Sequence, residues 1–134
     1  MQTIAIIDYN MGNLHSVRRA VEHVAGAAHV VITADPSLIL KADRVVFPGQ
    51  GAARDCMREL QHLELNEVVA EVARTKPFLG ICMGMQVLMQ HSDENQGVDC
   101  LGIYQGQVRH FGDGHTQVTP VKRLKIRQMG WNQV

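Results

Sequence analysis

A cysteine flanked by glycines offers the first chemistry in this sequence. Cys82 is the centre of the segment Gly80-Ile81-Cys82-Met83-Gly84, which has the G-x-S-x-G spacing of a nucleophile elbow with cysteine in place of serine. In such an elbow the nucleophile occupies a strained turn between a strand and a helix, and passing chain segments leave no room for side chains nearby. The spacing predicts a thiol nucleophile at a helix N-terminus, where amides and the helix dipole favour a thiolate. The amide of Met83 would donate to an oxyanion.

A second glycine-rich turn, "FPGQG", runs from residue 47 to residue 51. Gly49 and Gly51 leave the backbone around Gln50 free to turn an amide inward, as a second oxyanion donor requires. An ordinary loop is the alternative for this turn, and a small buried hydrophobe is the alternative for Cys82. Both turns follow apolar runs, so they are expected at the carboxyl ends of strands, where they could face one pocket.

The elements that must position these turns alternate along the chain. Apolar runs predict strands near residues 3–8, 29–33, 42–48 and 77–81. Helical spacing of apolar residues lies between them, with Asn13 as a cap and Gly26 as an end of the first helix, and a last helix is expected to contain 87–89. The alternation predicts an α/β fold, an open and mostly parallel sheet with helices on both faces, in one domain of residues 1–134. From Ser92 onward, short strands with Gly/Asp turns are expected.

Composition excludes several classes of function. The sequence has 13 Lys plus Arg residues and 13 Asp plus Glu residues. Its net charge therefore does not favour binding to nucleic acid or to an anionic membrane. No apolar run is long enough to cross a bilayer, and the start of the sequence lacks the pattern of a secretion signal. Cys56, Cys82 and Cys100 are far apart and have no metal-ligand spacing, which indicates free thiols in a reducing cytoplasm. Neither a metal nor an organic cofactor is expected.

Five segments carry a family resemblance: "IAIIDYNMGNLHSV", "VVFPGQGA", "FLGICMGMQVL", "GVDCLGI" and "MGWNQV". In sequence and order they resemble the glutaminase subunits of imidazole glycerol phosphate synthase, which are class I (triad) glutamine amidotransferases. The resemblance extends from residue 3 to residue 134. It implies a glutaminase of histidine biosynthesis, in which Cys82 attacks the side-chain amide of glutamine. It also implies a heterodimer with a cyclase subunit, a (β/α)₈ barrel that uses the released ammonia.

The resemblance assigns further roles within the two turns. The backbone groups that would hold the oxyanion belong to Gly49, Gln50, Gly51 and Met83. Gly51 and Gln86 would contact the glutamine substrate. Gln50 departs from the family, which usually has a small apolar residue there.

Two residues resemble positions of the family that meet the cyclase, namely Asn10 and Trp131. Core packing is the alternative for Trp131. Shortly before Trp131, Arg127-Gln128 stands where the family commonly has Pro-His.

The triad of the family also needs a histidine and a glutamate from an H-x-E motif well after "MGWN", and the 134 residues end before it. His62-Leu63-Glu64 has this pattern but precedes the elbow, which is the wrong order for the sheet. We therefore expect either a glutaminase or, as the alternative, a truncated and inactive module that binds the cyclase. A cysteine hydrolase of another elbow-bearing superfamily is a third hypothesis, which would leave "MGWN" unexplained.

Overall fold

The structure, a computed structural model, describes residues 1–111. Strands and helices alternate in its first part, as the sequence pattern predicts. The elements are β1 (Thr3–Ile7), α1 (Leu14–Val24), β2 (His29–Thr33), α2 (Pro36–Lys41), β3 (Arg44–Phe47), α3 (Ala53–His62), α4 (Asn66–Thr75), β4 (Phe78–Gly80) and α5 (Met83–Gln86). A smaller part follows, made of β5 (His91–Ser92), a single 3₁₀ turn (Glu94–Gln96), β6 (Val98–Asp99) and β7 (Gln107–Val108).

The first four strands form one parallel sheet in the order β2-β1-β3-β4. At its centre Ile6 of β1 pairs with Ile32 on one side and Val46 on the other. Because all four strands run in the same direction, their carboxyl ends lie at one edge of the sheet. The turns that follow β1, β3 and β4 therefore meet there, which is the arrangement that the two glycine-rich turns require.

Helices cover both faces of this sheet, so the predicted fold class is confirmed. On one face, Val45 and Phe47 of β3 belong to a fully buried core with residues of α3 and α4, among them Leu60 and Val69. On the other face, Ile6 packs with Val30, Val46 and the half-buried stripe of α1. The strands are apolar on both faces because both are covered.

Local sequence signals set the limits of α1. The Asn13 side chain accepts a hydrogen bond from the Ser16 amide at 3.2 Å, as expected of a cap. The helix is followed by Gly26, which has φ +61°. Both predictions for this helix are confirmed.

The helix after the elbow is shorter than predicted, because α5 ends at Gln86 and leaves out 87–89. The carbonyl of Val87 accepts from the Leu101 amide at 2.9 Å, and the carbonyl of Met89 accepts from the Gly102 amide at 2.8 Å. The amides of Leu88 and Met89 donate to carbonyls only three residues back, those of Met85 and Gln86, at 3.2 Å each. The chain therefore tightens out of α-helical geometry after Gln86, where the distant segment binds to it. In residues 1–111, no helix has the length and apolar character needed to cross a membrane.

The buried core between the sheet and α3 should dominate stability. Leu60 is 0% exposed, whereas Leu40 of α2 is 42% exposed. We expect Leu60→Ala to lower the free energy of unfolding by about 2–5 kcal/mol, because it removes buried methyl groups and leaves a cavity. The matched variant Leu40→Ala should cost less than about 1 kcal/mol. Urea unfolding measures both, and equal losses would contradict this description of the core.

Candidate active site

Cys82 occupies the turn between β4 and α5 in a conformation that side chains rarely adopt. Its backbone has φ 55° and ψ −118°, and positive φ is costly for any residue with a Cβ. The side chain is exposed. Cys82 is therefore not the small buried hydrophobe of the alternative interpretation, and its geometry is that of an elbow which presents a thiol at the sheet edge.

The glycines around Cys82 are required by close contacts between backbone segments. A Cβ at Gly84 would overlap the carbonyl oxygen of Phe47, at the end of β3. A Cβ at Gly80 would lie 2.9 Å from the carbonyl oxygen of Gly84, closer than real side chains come. The G-x-C-x-G spacing thus reflects the packing of the elbow on the neighbouring strand, as the sequence predicts.

The second glycine-rich turn lies directly against the elbow. A Cβ at Gly49 would overlap the Tyr9 hydroxyl, and it would lie 2.6 Å from the Gly84 nitrogen and 2.8 Å from the Met83 Cβ. Gly51 has φ +86°, so it too uses a conformation that favours glycine. The structure therefore brings together the two turns that the sequence singles out.

Several amides at this junction have no acceptor within residues 1–111. The Met83 amide is one of them, whereas the next two amides bond to the carbonyls of Ile81 and Cys82 at 2.9 and 3.0 Å. In the same part of the chain, the amides of Gln50 and Gly51 also have no acceptor. Such free donors beside an exposed thiol are what an oxyanion site needs.

Gln86 is the last residue of α5, one turn after Cys82, and its side chain is half-buried. Its amide donates to the Cys82 carbonyl at 3.1 Å. Gln86 therefore lies on the same short helix as the candidate nucleophile, where its role toward a substrate stays a prediction.

The other two cysteines have surroundings unlike those of Cys82. Cys56 is fully buried on the apolar face of α3, and burial raises the pKa of its thiol. Burial also raises the pKa of the half-buried Cys100, and the nearby Asp99 carboxylate adds to this. Both thiols therefore hold their protons more tightly than a free cysteine does.

The turn after β1 completes the cluster at this edge. Asn10 is exposed, has φ 63°, and donates from its side chain to Glu59 of α3 at 3.2 Å. A Cβ at the following Gly12 would lie 3.6 Å from the Gly49 nitrogen. The role of Asn10 at a partner surface stays a prediction, while Trp131 and Arg127-Gln128 lie outside the described residues.

Two contributors were missed by the sequence analysis. The Glu94 carboxylate accepts the Ala53 amide at 2.7 Å at the start of α3, and Arg54 donates to the carbonyls of Asn95 and Gly97 at 3.1 and 2.9 Å. These contacts anchor the small second sheet beside the Gly51 turn.

The second contributor is Tyr9, a tyrosine buried just after β1. A large aromatic residue directly after an apolar run was the available signal.

A groove of about 310 Å³ lies at the opposite edge of the sheet, beside Thr3, His29 and Lys41. Thr3 and His29 begin β1 and β2, whereas the elbow follows the carboxyl end of β4, so the groove is not part of the site described above. Within residues 1–111, no group of three His, Cys, Asp or Glu side chains is arranged to hold a metal ion.

Comparisons with known proteins agree with this geometry. The family "Glutamine amidotransferase class-I" matches residues 5–134. The chain is 57% identical over 134 residues to "Imidazole glycerol phosphate synthase subunit HisH" of Pseudomonas putida, and 55% identical over 134 residues to subunit HisH 1 of Pseudomonas aeruginosa. In both cases the match covers 100% of this chain and 62% of the relative. The chain thus spans about three fifths of the length of these curated relatives.

A solved structure shows the same fold at low sequence identity. It is described as a peptidase E protein from Listeria monocytogenes EGD-e, and it superimposes with a TM-score of 0.60 over 77% of this chain and 63% of that chain. The two sequences are 15% identical, so the likeness concerns the fold alone.

We expect alkylation to distinguish the three cysteines. At pH 8, iodoacetamide should label Cys82 first and Cys56 last, because it needs an accessible thiolate. The raised pKa values of Cys56 and Cys100 lower their thiolate fractions at this pH, each unit by about tenfold. Peptide mass spectrometry of timed samples gives the three rates. In urea the rates should become similar, and equal labelling of the folded protein would contradict the elbow geometry.

Substitution of Gly84 should displace the elbow. In Gly84→Ala the new Cβ overlaps the Phe47 carbonyl, so the first turn of α5 must shift at a cost of about 1–3 kcal/mol. The labelling rate of Cys82 should change with it. Gly26→Ala is the matched control, because Gly26 has φ +61° but no atom within 4 Å of the added Cβ. This control should lose stability through backbone strain and leave the Cys82 rate unchanged.

Proposed function

Because this chain belongs to the class-I glutamine amidotransferase family, we propose that it is the glutaminase subunit of an imidazole glycerol phosphate synthase. In this function it hydrolyses glutamine and supplies ammonia to a cyclase subunit in histidine biosynthesis. The observation that carries the proposal is the exposed Cys82 on its positive-φ turn, with the Gly49 turn packed against the same helix start. The names of the relatives, at 55–57% identity, support this choice among amidotransferases.

The proposed reaction begins at the sulfur of Cys82. Its thiolate attacks the carboxamide carbon of glutamine, and the carbonyl oxygen takes up the negative charge. The Met83 amide and the backbone of Gly49, Gln50 and Gly51 would donate to that oxygen, which is supported by the absence of other acceptors for the Met83 and Gln50 amides within residues 1–111.

The second half of the reaction releases the products. The bond from carbon to nitrogen breaks, ammonia leaves with an added proton, and a γ-glutamyl thioester remains on Cys82. Water then hydrolyses the thioester to glutamate and restores the thiol. Proton transfer in these steps needs a positioned acid and base. In the family that the sequence resembles, a histidine and a glutamate of an H-x-E motif after "MGWN" have this role, and no such motif lies between "MGWN" and Val134.

Gly51 and Gln86 are the proposed contacts of the glutamine substrate. Their positions support this role, because Gly51 lies in the turn beside the elbow and Gln86 lies one helical turn after Cys82. Gly51 is exposed and Gln86 is half-buried, so both are accessible to a small molecule at the sheet edge.

The cyclase subunit is the proposed partner, in a heterodimer with lyase as well as glutaminase activity. Asn10 supports a partner surface at this edge, because it is exposed and its turn lies next to the Gly49 turn. Trp131, the other proposed interface residue, lies outside the described part of the chain. Free thiols at Cys56, Cys82 and Cys100 support a cytoplasmic location.

A glutaminase assay tests the proposal. The chain is mixed with the cyclase subunit and glutamine, and glutamate release is measured beside Cys82→Ala. We expect the variant to lose at least about 10³-fold in kcat, because removal of a covalent nucleophile abolishes its pathway. Cys100→Ala is the matched control and should keep its rate, since Cys100 lies outside the elbow.

Two other outcomes would contradict the proposal. Glutamate release that survives Cys82→Ala would exclude Cys82 as the nucleophile. Absence of release from the unmodified chain, with the cyclase still bound, would favour the inactive cyclase-binding module.

A further inference from the structure

Tyr9 lies in the core directly beneath the second glycine-rich turn. It is 0% exposed, and its ring packs on Phe47 with ring centroids 5.0 Å apart and planes inclined by 35°. Its hydroxyl donates to the carbonyl oxygen of Pro48 at 2.7 Å. A buried hydroxyl is costly unless it is bonded, so this hydrogen bond has to be kept in the folded protein.

The hydrogen bond constrains the turn because it fixes the plane of a peptide. In a trans peptide, the carbonyl of Pro48 and the amide of Gly49 point in opposite directions. A carbonyl held toward the core therefore keeps the Gly49 amide away from the core. Two residues later the Gln50 carbonyl is held from the same side, by the Cys56 thiol at 3.6 Å. The peptide that links Gly49 to Gln50 therefore lies between two peptides whose carbonyls are each hydrogen-bonded to a buried side chain, Tyr9 on one side and Cys56 on the other.

We propose that Tyr9 is a positioning residue for the glutaminase reaction, whose hydroxyl holds the turn of Gly49, Gln50 and Gly51 in the orientation that serves the oxyanion at Cys82. The inference rests on the proposed function. The tight packing of Gly49 supports it, since a Cβ there would overlap the Tyr9 hydroxyl and crowd the Gly84 nitrogen. Tyr9 thus contacts the turn from the core side, and Gly49 of the same turn contacts the first turn of α5 next to Cys82.

The hydroxyl keeps its proton, so it remains a donor. Burial, followed by the neighbouring Cys56 and Cys82 thiols, raises the pKa of Tyr9 far above its ordinary value. Burial likewise raises the pKa of Cys56. Both groups that hold the turn are thus neutral donors at the pH of the cell.

Tyr9→Phe tests the role of the hydroxyl while it keeps the ring that packs on Phe47. In the complex with the cyclase we expect kcat for glutamine hydrolysis to fall about tenfold, less than the 10²–10³ seen when an oxyanion donor itself is removed. KM for glutamine should stay within twofold, because the hydroxyl does not face the substrate. Tyr104→Phe is the matched control, since Tyr104 is 47% exposed and should leave both constants unchanged.

Amide hydrogen exchange supplies a readout that does not depend on activity. In Tyr9→Phe, the amides of Ile81 and Gly84, which are hydrogen-bonded and lie against the turn, should exchange faster, while those of Ile6 and Val46 in the sheet keep their rates. A loss of stability with unchanged kcat and unchanged exchange of the Ile81 and Gly84 amides would assign Tyr9 to packing alone and overturn the proposal. An unmodified complex without glutaminase activity would instead overturn the proposed function.

A measurement on the unmodified chain covers the case in which Tyr9→Phe fails to fold. A hydroxyl proton held by the Pro48 carbonyl should exchange slowly enough to give its own NMR signal, with a nuclear Overhauser effect to the Gly49 α-protons. A Tyr9 hydroxyl that exchanges as fast as that of Tyr104 would contradict the proposed hold on the turn.

Discussion

The close approach of the end of β3 to the first turn of α5 is the contact on which the candidate site depends. The carbonyl of Phe47 occupies the space that a side chain at Gly84 would need, and Gly49 lies against the Gly84 nitrogen. The contact joins backbone to backbone, so its spacing is not set by side-chain rotamers. A site whose amides must point at one developing charge benefits from such a fixed spacing.

The strained backbone of Cys82 persists because the surrounding hydrogen bonds determine it. The Ile81 amide donates to the Phe47 carbonyl at 3.0 Å, and the Cys82 carbonyl accepts from both Met85 and Gln86. The residues before and after Cys82 are thereby fixed to β3 and α5, which leaves positive φ as the conformation that connects them. The same bonds aim the thiol away from the core, so the strain and the exposure of Cys82 have one cause.

The sequence determined those features of the fold that depend on nearby residues. Apolar runs located the four parallel strands, and Asn13 and Gly26 set the limits of α1. The length of α5 and the bond between Glu94 and the Ala53 amide could not be predicted, because each depends on residues far away in the sequence. Of the candidate site, the sequence located both turns, but it did not reveal that Tyr9 holds one of them from the core.

The short α5 also changes the electrostatic description of Cys82. A helix through 87–89 would align more peptide dipoles behind Cys82, whereas α5 ends at Gln86. The donors at the start of α5 are then single amides of its first turn, of which the Met83 amide has no acceptor within residues 1–111. Tyr9 and Cys56 stay protonated and add no negative charge beside the thiol. The orientation of a few amides is therefore what this site offers to a developing oxyanion, and so the residues that hold those amides in place matter as much as the donors themselves.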